Sequence, residues 1–108
     1  MKISLANETC LLSVDSFGGV IVDFHLVGEE KVNPLSFAFT KEQMPDNNRE
    51  GAPYRGHFLC AGRWGLPSEG EIKRGIPNHG EAANIQWQAE QKDKCILMQA
   101  NAKKEGLL

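Results

Sequence analysis

The feature that most constrains this chain is a short alternation of apolar and polar residues that recurs along the sequence. It is clearest where Val22, Phe24 and Leu26 alternate with Asp23 and His25. Since successive side chains of a strand point to opposite faces, this period of two predicts strands. It recurs at residues 2–5, 9–14, 20–27, 35–40, 85–90 and 95–102. No segment shows a convincing helical period, so we predict an all-β, antiparallel fold in a single domain over residues 1–108.

The pattern is interrupted by residues 41–84, which show neither period and hold most of the glycines and prolines. Irregular segments of this length are uncommon in compact domains and are usually functional or disordered. Tyr54, Phe58, Trp64 and Ile72 offer apolar surface to bury, which disfavours disorder. We therefore look for a functional site in this segment.

The charge balance excludes one class of partner. Twelve Lys and Arg face fourteen Asp and Glu, and the longest cationic run is Lys103-Lys104. Nucleic-acid binding needs clustered positive charge, so we expect no nucleic-acid partner. The apolar runs are only a few residues long, far below a membrane span, so we expect no membrane partner either.

The cysteines indicate a compartment. Cys10, Cys60 and Cys95 are odd in number, widely spaced and without a C-x-x-C pair, which is not the pattern of a disulfide framework. The N-terminal residues lack the apolar core of a secretion signal. We expect a cytoplasmic protein.

The candidate binding residues are Arg63, Trp64 and His79. Arg63 and Trp64 are adjacent among glycines, and His79 lies at a Pro- and Gly-containing turn. A guanidinium offers fixed donors and an indole offers a flat apolar face, which suits a sugar with hydroxyls at its edge and C–H bonds on its ring face. The alternatives are structural: a stacked Arg–Trp pair that seals the core, and a histidine that is merely hydrogen-bonded at a turn.

Two other clusters are weaker candidates. Asp23 and His25 share a polar strand face, which is also typical of a solvated face. His57 and Cys60 have the H-x-x-C spacing of zinc ligands, with His79 as a third, but a fourth ligand and a second close pair are missing from the pattern. We expect neither a metal nor a cofactor.

Three motifs follow one another along the chain: residues 12–24 (LSVDSFGGVIVDF), residues 51–63 (GAPYRGHFLCAGR), and residues 76–80 (IPNHG) followed by Trp87. In order and spacing they resemble the N-terminal part of the aldose 1-epimerase, or galactose mutarotase-like, superfamily. The resemblance covers essentially the whole chain, although each motif alone is weakly specific.

The resemblance implies an antiparallel β-sandwich that is part of a supersandwich, and a site for a monosaccharide or a sugar phosphate. It assigns sugar hydroxyl contacts to Arg63 and His79, although gaps in the match could put Arg55 or Arg74 in place of Arg63. Arg55, Lys73 and Arg74 could serve a phosphate, although exposed cations are more often just solvated.

Nothing in the chain matches the family's catalytic Glu and second His, so we predict no catalytic residue here. If the chain is part of a longer protein, the resemblance predicts an aldose 1-epimerase-like isomerase whose isolated N-terminal segment is inactive. The alternative is a non-catalytic carbohydrate-binding or regulatory β-sandwich. A third interpretation is a structural half-sandwich, because the sequence ends directly after a strand. Such a domain needs a partner chain or a second copy to complete its sheets.

Overall fold

The computed structural model of the chain describes residues 1–46, 53–62 and 64–105. Its first part is a three-stranded antiparallel sheet. In spatial order, the strands are β1 (Lys2–Ala6), β2 (Cys10–Asp15) and β3 (Val20–Leu26). The turn between β1 and β2 is closed by Asn7, whose Oδ1 accepts hydrogen bonds from the backbone N–H groups of Thr9 and Cys10, each at 2.8 Å. The alternation therefore predicted these three strands correctly.

The turn between β2 and β3 depends on two consecutive glycines. Gly18 and Gly19 have φ angles of 74° and 61°, a conformation that side chains rarely adopt. A Cβ at Gly19 would lie 2.9 Å from the Trp87 ring. This close approach lets residues 16–18 pair with residues 85–87: Trp87 N–H donates to Ser16 O and Gly18 N–H donates to the residue-85 carbonyl, both at 2.8 Å.

A second, two-stranded antiparallel sheet consists of β4 (Gln88–Lys92) and β5 (Cys95–Gln99). We predicted that the first of these strands begins at Ile85, but residues 85–87 are extended and pair with residues 16–18 instead of with β5. The alternation therefore predicted the extended backbone of residues 85–87, whereas the strand that pairs with β5 begins at Gln88. β5 contacts β1, which brings the two sheets together.

The strand predicted at residues 35–40 is not present. It is reduced to an isolated bridge between Ala38 and Arg55. The partner segment turns away at Gly56 (φ 50°), and the next residue pairs with Ile21 of β3. A ladder needs a partner that stays extended, and here the partner leaves after one bridge.

The prediction of no helix is also wrong. A short helix, α1 (Glu69–Lys73), lies inside the irregular segment, and 3-10 turns occupy Lys41–Gln43 and Ala82–Asn84. A capping box begins α1: Ser68 Oγ accepts from Glu71 N–H at 3.3 Å, and Glu71 Oε2 accepts from Ser68 N–H at 2.7 Å. No helix in the described residues is both long and apolar enough to span a lipid bilayer.

The buried apolar residues lie on β2, at the start of β3, and in the segments packed near them. They are Val14, Val20, Met44, Ile76, Ala82, Ala83 and Ala102. Phe24 and Leu26, further along β3, stay 42% and 53% exposed. Strands outweigh helices in the described residues and both sheets are antiparallel, whereas the predicted sandwich remains a prediction.

Candidate functional site

His79 is the most completely buried large side chain of the described residues, at 1% exposure. Its backbone is left-handed (φ 64°), and Gly80 follows with φ 87°. Two hydrogen bonds join it to Gly65: His79 N–H donates to Gly65 O at 3.0 Å, and Gly65 N–H donates to His79 Nδ1 at 3.1 Å. Gly65 therefore holds both the backbone and the ring of His79.

These bonds define the protonation of the imidazole. Because a backbone N–H can only donate, Nδ1 of His79 carries a lone pair, and the proton of the neutral ring is on Nε2. Burial lowers the pKa of His79, since removal from water disfavours the charged form. At neutral pH, His79 is thus an uncharged ring with an Nε2–H donor.

The turn that carries His79 is fixed from a second side by Asn84. The Asn84 Nδ2 group donates to Asn78 O at 3.1 Å and to Gly80 O at 2.8 Å. These are the carbonyls of the residues directly before and after His79. One side-chain amide therefore bridges the carbonyls of the two residues that flank the histidine.

The glycine after His79 is required by close packing. A Cβ at Gly80 would lie 2.2 Å from Ala61 O and 2.8 Å from Glu105 Oε1. Glu105 Oε1 also accepts a hydrogen bond from Glu81 N–H at 3.1 Å, and Glu81 Oε2 accepts one from Lys104 N–H at 2.7 Å. The segment 104–105 thus holds the turn from a third side.

Three aromatic side chains, which we call the aromatic cluster, surround the imidazole. Their ring centroids lie 4.8 Å (Trp64), 5.4 Å (Phe58) and 5.7 Å (Tyr54) from that of His79. Phe58 is close to parallel with Trp64 and with Tyr54, at interplanar angles of 17° and 13°. Trp64 remains 74% exposed. The cluster therefore presents an indole to solvent and covers a buried histidine.

Two of the three binding residues chosen from the sequence are brought together. Trp64 and His79 are in ring contact, whereas Arg63 lies outside the described residues. Trp64 does not seal the core, because most of its surface is exposed. Sequence analysis missed Tyr54 and Phe58 as neighbours of His79. The available signal was their aromatic character within the Gly- and Pro-rich segment.

Arg55 is held by contacts with Asp15 and Phe17. Its Nη1 lies 2.7 Å from Asp15 Oδ2, its Nη2 donates to Phe17 O at 2.8 Å, and its guanidinium lies 6.0 Å from the Phe17 ring centroid. Burial alone would raise the pKa of Asp15, but hydrogen bonds from Arg55 and from Phe17 N–H outweigh it and lower that pKa to about 2. Arg74 similarly donates to the Lys104 carbonyl. Arg55 and Arg74 therefore have partners within the fold.

Asp23 and His25 do meet on β3, with Asn33 beside them. His25 Nδ1 lies 2.7 Å from Asp23 Oδ1, and Asn33 Nδ2 donates to the same oxygen at 2.7 Å. The hydrogen bond from Asn33, followed by that from His25, lowers the pKa of Asp23. Asn33 Oδ1 also accepts from Phe24 N–H at 3.2 Å, so the cluster fastens the segment after β3 onto that strand. No group of three potential metal ligands forms within the described residues.

Comparison with known proteins finds no matching family model, no matching curated protein and no matching solved structure. The resemblance to aldose 1-epimerases thus remains a prediction from the sequence motifs.

Proposed function

We propose that this chain binds a monosaccharide or a sugar phosphate at Trp64 and His79, as the sugar-binding segment of an aldose 1-epimerase-like protein. The observation that carries the proposal is the contact between an exposed indole and a buried, neutral histidine, with ring centroids 4.8 Å apart. This pair combines the two kinds of contact that a sugar offers.

The indole is the primary contact surface. An aromatic face left in water at 74% exposure is available to the C–H face of a sugar ring. Phe58, nearly parallel at 6.2 Å, supports the indole and limits its orientations. A supported ring loses less conformational entropy on binding than a free one, which favours a stacked ligand.

In the proposed complex, His79 orients the sugar through a hydrogen bond. A sugar hydroxyl or ring oxygen would take the place of the present surroundings of the His79 Nε2–H donor, and the lowered pKa of His79 keeps the ring uncharged at neutral pH. Since the ring is 1% exposed behind the aromatic cluster, a hydroxyl reaches it only after the side chains around it rearrange. In this proposal, stacking on Trp64 comes first and the hydrogen bond to His79 follows.

Tryptophan fluorescence tests the proposal directly. The chain has two tryptophans, so Trp87→Phe leaves Trp64 as the single reporter. We expect glucose, galactose or one of their 6-phosphates to give a saturable change, with a Kd on the order of millimolar, typical of a small polar ligand on an open surface.

Calorimetric titration of variants then locates the site. Trp64→Ala should weaken binding at least about 10-fold, a loss of about 1.4 kcal/mol. His79→Asn should weaken it as well, and Asn tolerates the left-handed backbone there. Phe24→Ala, at another exposed aromatic residue, is the matched control and should leave affinity unchanged. Absence of saturable binding to all four sugars, or full affinity in Trp64→Ala, would refute the proposal.

Polarimetry separates binding from catalysis. We expect the 108-residue chain to bind sugar without accelerating mutarotation, because the resemblance assigns the general acid and base to residues that it does not match here. Acceleration of mutarotation would show that the acid and base lie within this chain. Catalysis by a longer form, with none by this chain, would favour the epimerase over a non-catalytic carbohydrate-binding domain.

A further inference from the structure

We infer that Asn84 is a positioning residue for His79: its amide fixes the backbone of the turn and thereby the direction in which the imidazole faces a ligand. The inference deepens the proposed function and rests on it for its effect on affinity. Its structural part, the control of His79 by Asn84, can be measured without any ligand.

Asn84 holds the backbone on both sides of His79 with a single side-chain amide. The two hydrogens of Asn84 Nδ2 point to two carbonyls, Asn78 O at 3.1 Å and Gly80 O at 2.8 Å. Those carbonyls lie on either side of the His79–Gly80 pair, so their relative positions depend on the φ and ψ angles of both residues. Holding both carbonyls on one donor group constrains the left-handed conformations of His79 (φ 64°) and Gly80 (φ 87°), the first of which a histidine otherwise adopts rarely.

Asn84 is itself held firmly. It ends the 3-10 turn Ala82–Asn84, and its N–H donates to Glu81 O at 2.9 Å. Ala82 and Ala83 before it are 5% and 2% exposed. The indole N–H of Trp87 donates to Ala82 O at 2.8 Å. The amide therefore projects from a packed base, which lets it impose a conformation on the turn.

Gly65 and Asn84 hold His79 through different groups. Gly65 holds the ring at Nδ1 through its backbone N–H, a group that a change of side chain does not remove. Asn84 acts through its side chain, so substitution can remove its contribution. If the backbone of His79 relaxes, Nδ1 moves away from Gly65 N–H and the preference for the Nε2–H form is lost. The tautomer of His79 is thus a readout of Asn84.

The test compares Asn84→Asp, Asn84→Ser and Asn101→Asp in the full chain. Asp has the shape of Asn but sets carboxylate oxygens against two carbonyls, Ser keeps one donor, and Asn101 is exposed. Ring ¹⁵N spectra at neutral pH report the tautomer, and His79→Asn assigns the His79 signals among the three histidines. Circular dichroism confirms that each variant retains its strands.

We expect the wild type and Asn101→Asp to show a lone pair on Nδ1 and a proton on Nε2. Asn84→Asp should show mixed tautomers and at least about a 10-fold loss of sugar affinity, with Asn84→Ser between them. A folded Asn84→Asp with the wild-type tautomer and affinity overturns the inference. If Asn84→Asp fails to fold, Asn84→Ser decides by the same criterion. If the wild type binds no sugar, the proposed function fails, whereas the ¹⁵N spectra still test the control of His79.

Discussion

The N-terminal sheet and the segment around His79 are built by different means. β1, β2 and β3 are joined by continuous antiparallel ladders, with one irregularity between Ser13 and Val14. The turn at His79 is instead held by separate hydrogen bonds from Gly65, Asn84 and segment 104–105. The sheet repeats the same antiparallel pairing between consecutive strands, whereas the hydrogen bonds at the site come from different parts of the chain.

The two regions therefore differ in what they require of their side chains. A ladder tolerates many side chains provided that their alternation is kept. The turn at His79 requires particular residues: a donor at 84, a glycine at 80 and a carboxylate at 105. A substitution in the sheet should therefore change the stability of the whole fold, whereas a substitution at the site should change only the turn at His79. The joints between the two regions should be the most sensitive positions.

The largest effect is expected at such a joint, in Gly56→Ala. A Cβ at Gly56 would lie 2.0 Å from Ile21 O, where the irregular segment meets β3, and its φ is 50°. Since backbone would have to move, we expect a loss of about 3 kcal/mol or more in the free energy of unfolding, measured with urea.

Gly28→Ala is the matched control for Gly56→Ala. Gly28 has a φ of 84°, but no described atom lies within 4 Å of its Cβ position. It should cost only about 1 kcal/mol, the penalty of the left-handed backbone alone. Equal losses in the two variants would contradict the close approach at Ile21.

A smaller effect is expected for Arg55→Met, at the ion pair with Asp15. Because Arg55 bonds both Asp15 and the Phe17 carbonyl, its loss should cost about 2 kcal/mol at neutral pH. Lys92→Met removes the Glu90–Lys92 pair, which is 3.5 Å long with both side chains 60% exposed, and should change stability by less than about 0.5 kcal/mol. A similar loss in both variants would mean that the Asp15 pair is no better than a surface pair.

The Arg55–Asp15 pair also makes the stability of the fold depend on pH in the acid range. The pKa of Asp15 falls from an ordinary value of 3.8 to about 2 in the folded chain. A lowered pKa stabilises the fold fully above the ordinary value, and the stabilisation is lost as the pH falls from there through about 2. Urea unfolding between pH 5 and pH 2 should therefore have a shallower pH dependence in Arg55→Met. Identical slopes would be incompatible with the lowered pKa.

The smallest effect on the global unfolding transition among the site-specific variants is expected for Ser68→Ala, because its loss is confined to α1. The capping box stabilises a five-residue helix that buries no residue, so the loss of about 1 kcal/mol should stay local. Backbone chemical shifts of residues 69–73 should lose their helical character while the urea midpoint hardly moves. Ser36→Ala, at an exposed serine, serves as the control. Helical shifts that persist in Ser68→Ala would show that packing, not capping, forms α1.

The sequence predicted the part of the fold whose cause is local. Alternation found β1, β2, β3 and the β4–β5 hairpin, and Gly18-Gly19 marked a turn. It failed at residues 35–40, because the partner of a strand cannot be seen in the strand itself. It also passed over α1, although Ser68 and Glu71 have the spacing of a capping box.

The candidate site was predicted in identity but not in geometry. Trp64 and His79 were chosen for their chemistry, and their contact depends on Gly65, which bonds His79 from fourteen positions away. The role of Asn84 could not be predicted, because an asparagine signals a turn or a cap locally but not which distant carbonyls it will bridge. Long-range hydrogen bonds leave little trace in a single sequence.

The pairing of residues 16–18 with 85–87 has a consequence for how the chain folds. The Gln86 side chain reaches Ser16 across 70 positions, and Trp64 and His79 lie inside that loop. Closing so long a loop is entropically slow, whereas the hairpins of β1, β2 and β3 need only near neighbours. During synthesis, the first sheet can therefore form before residues 85–87 emerge and close the loop that contains Trp64 and His79. A chain stopped before residue 85 could still form β1, β2 and β3 but would lack the pairing that closes this loop.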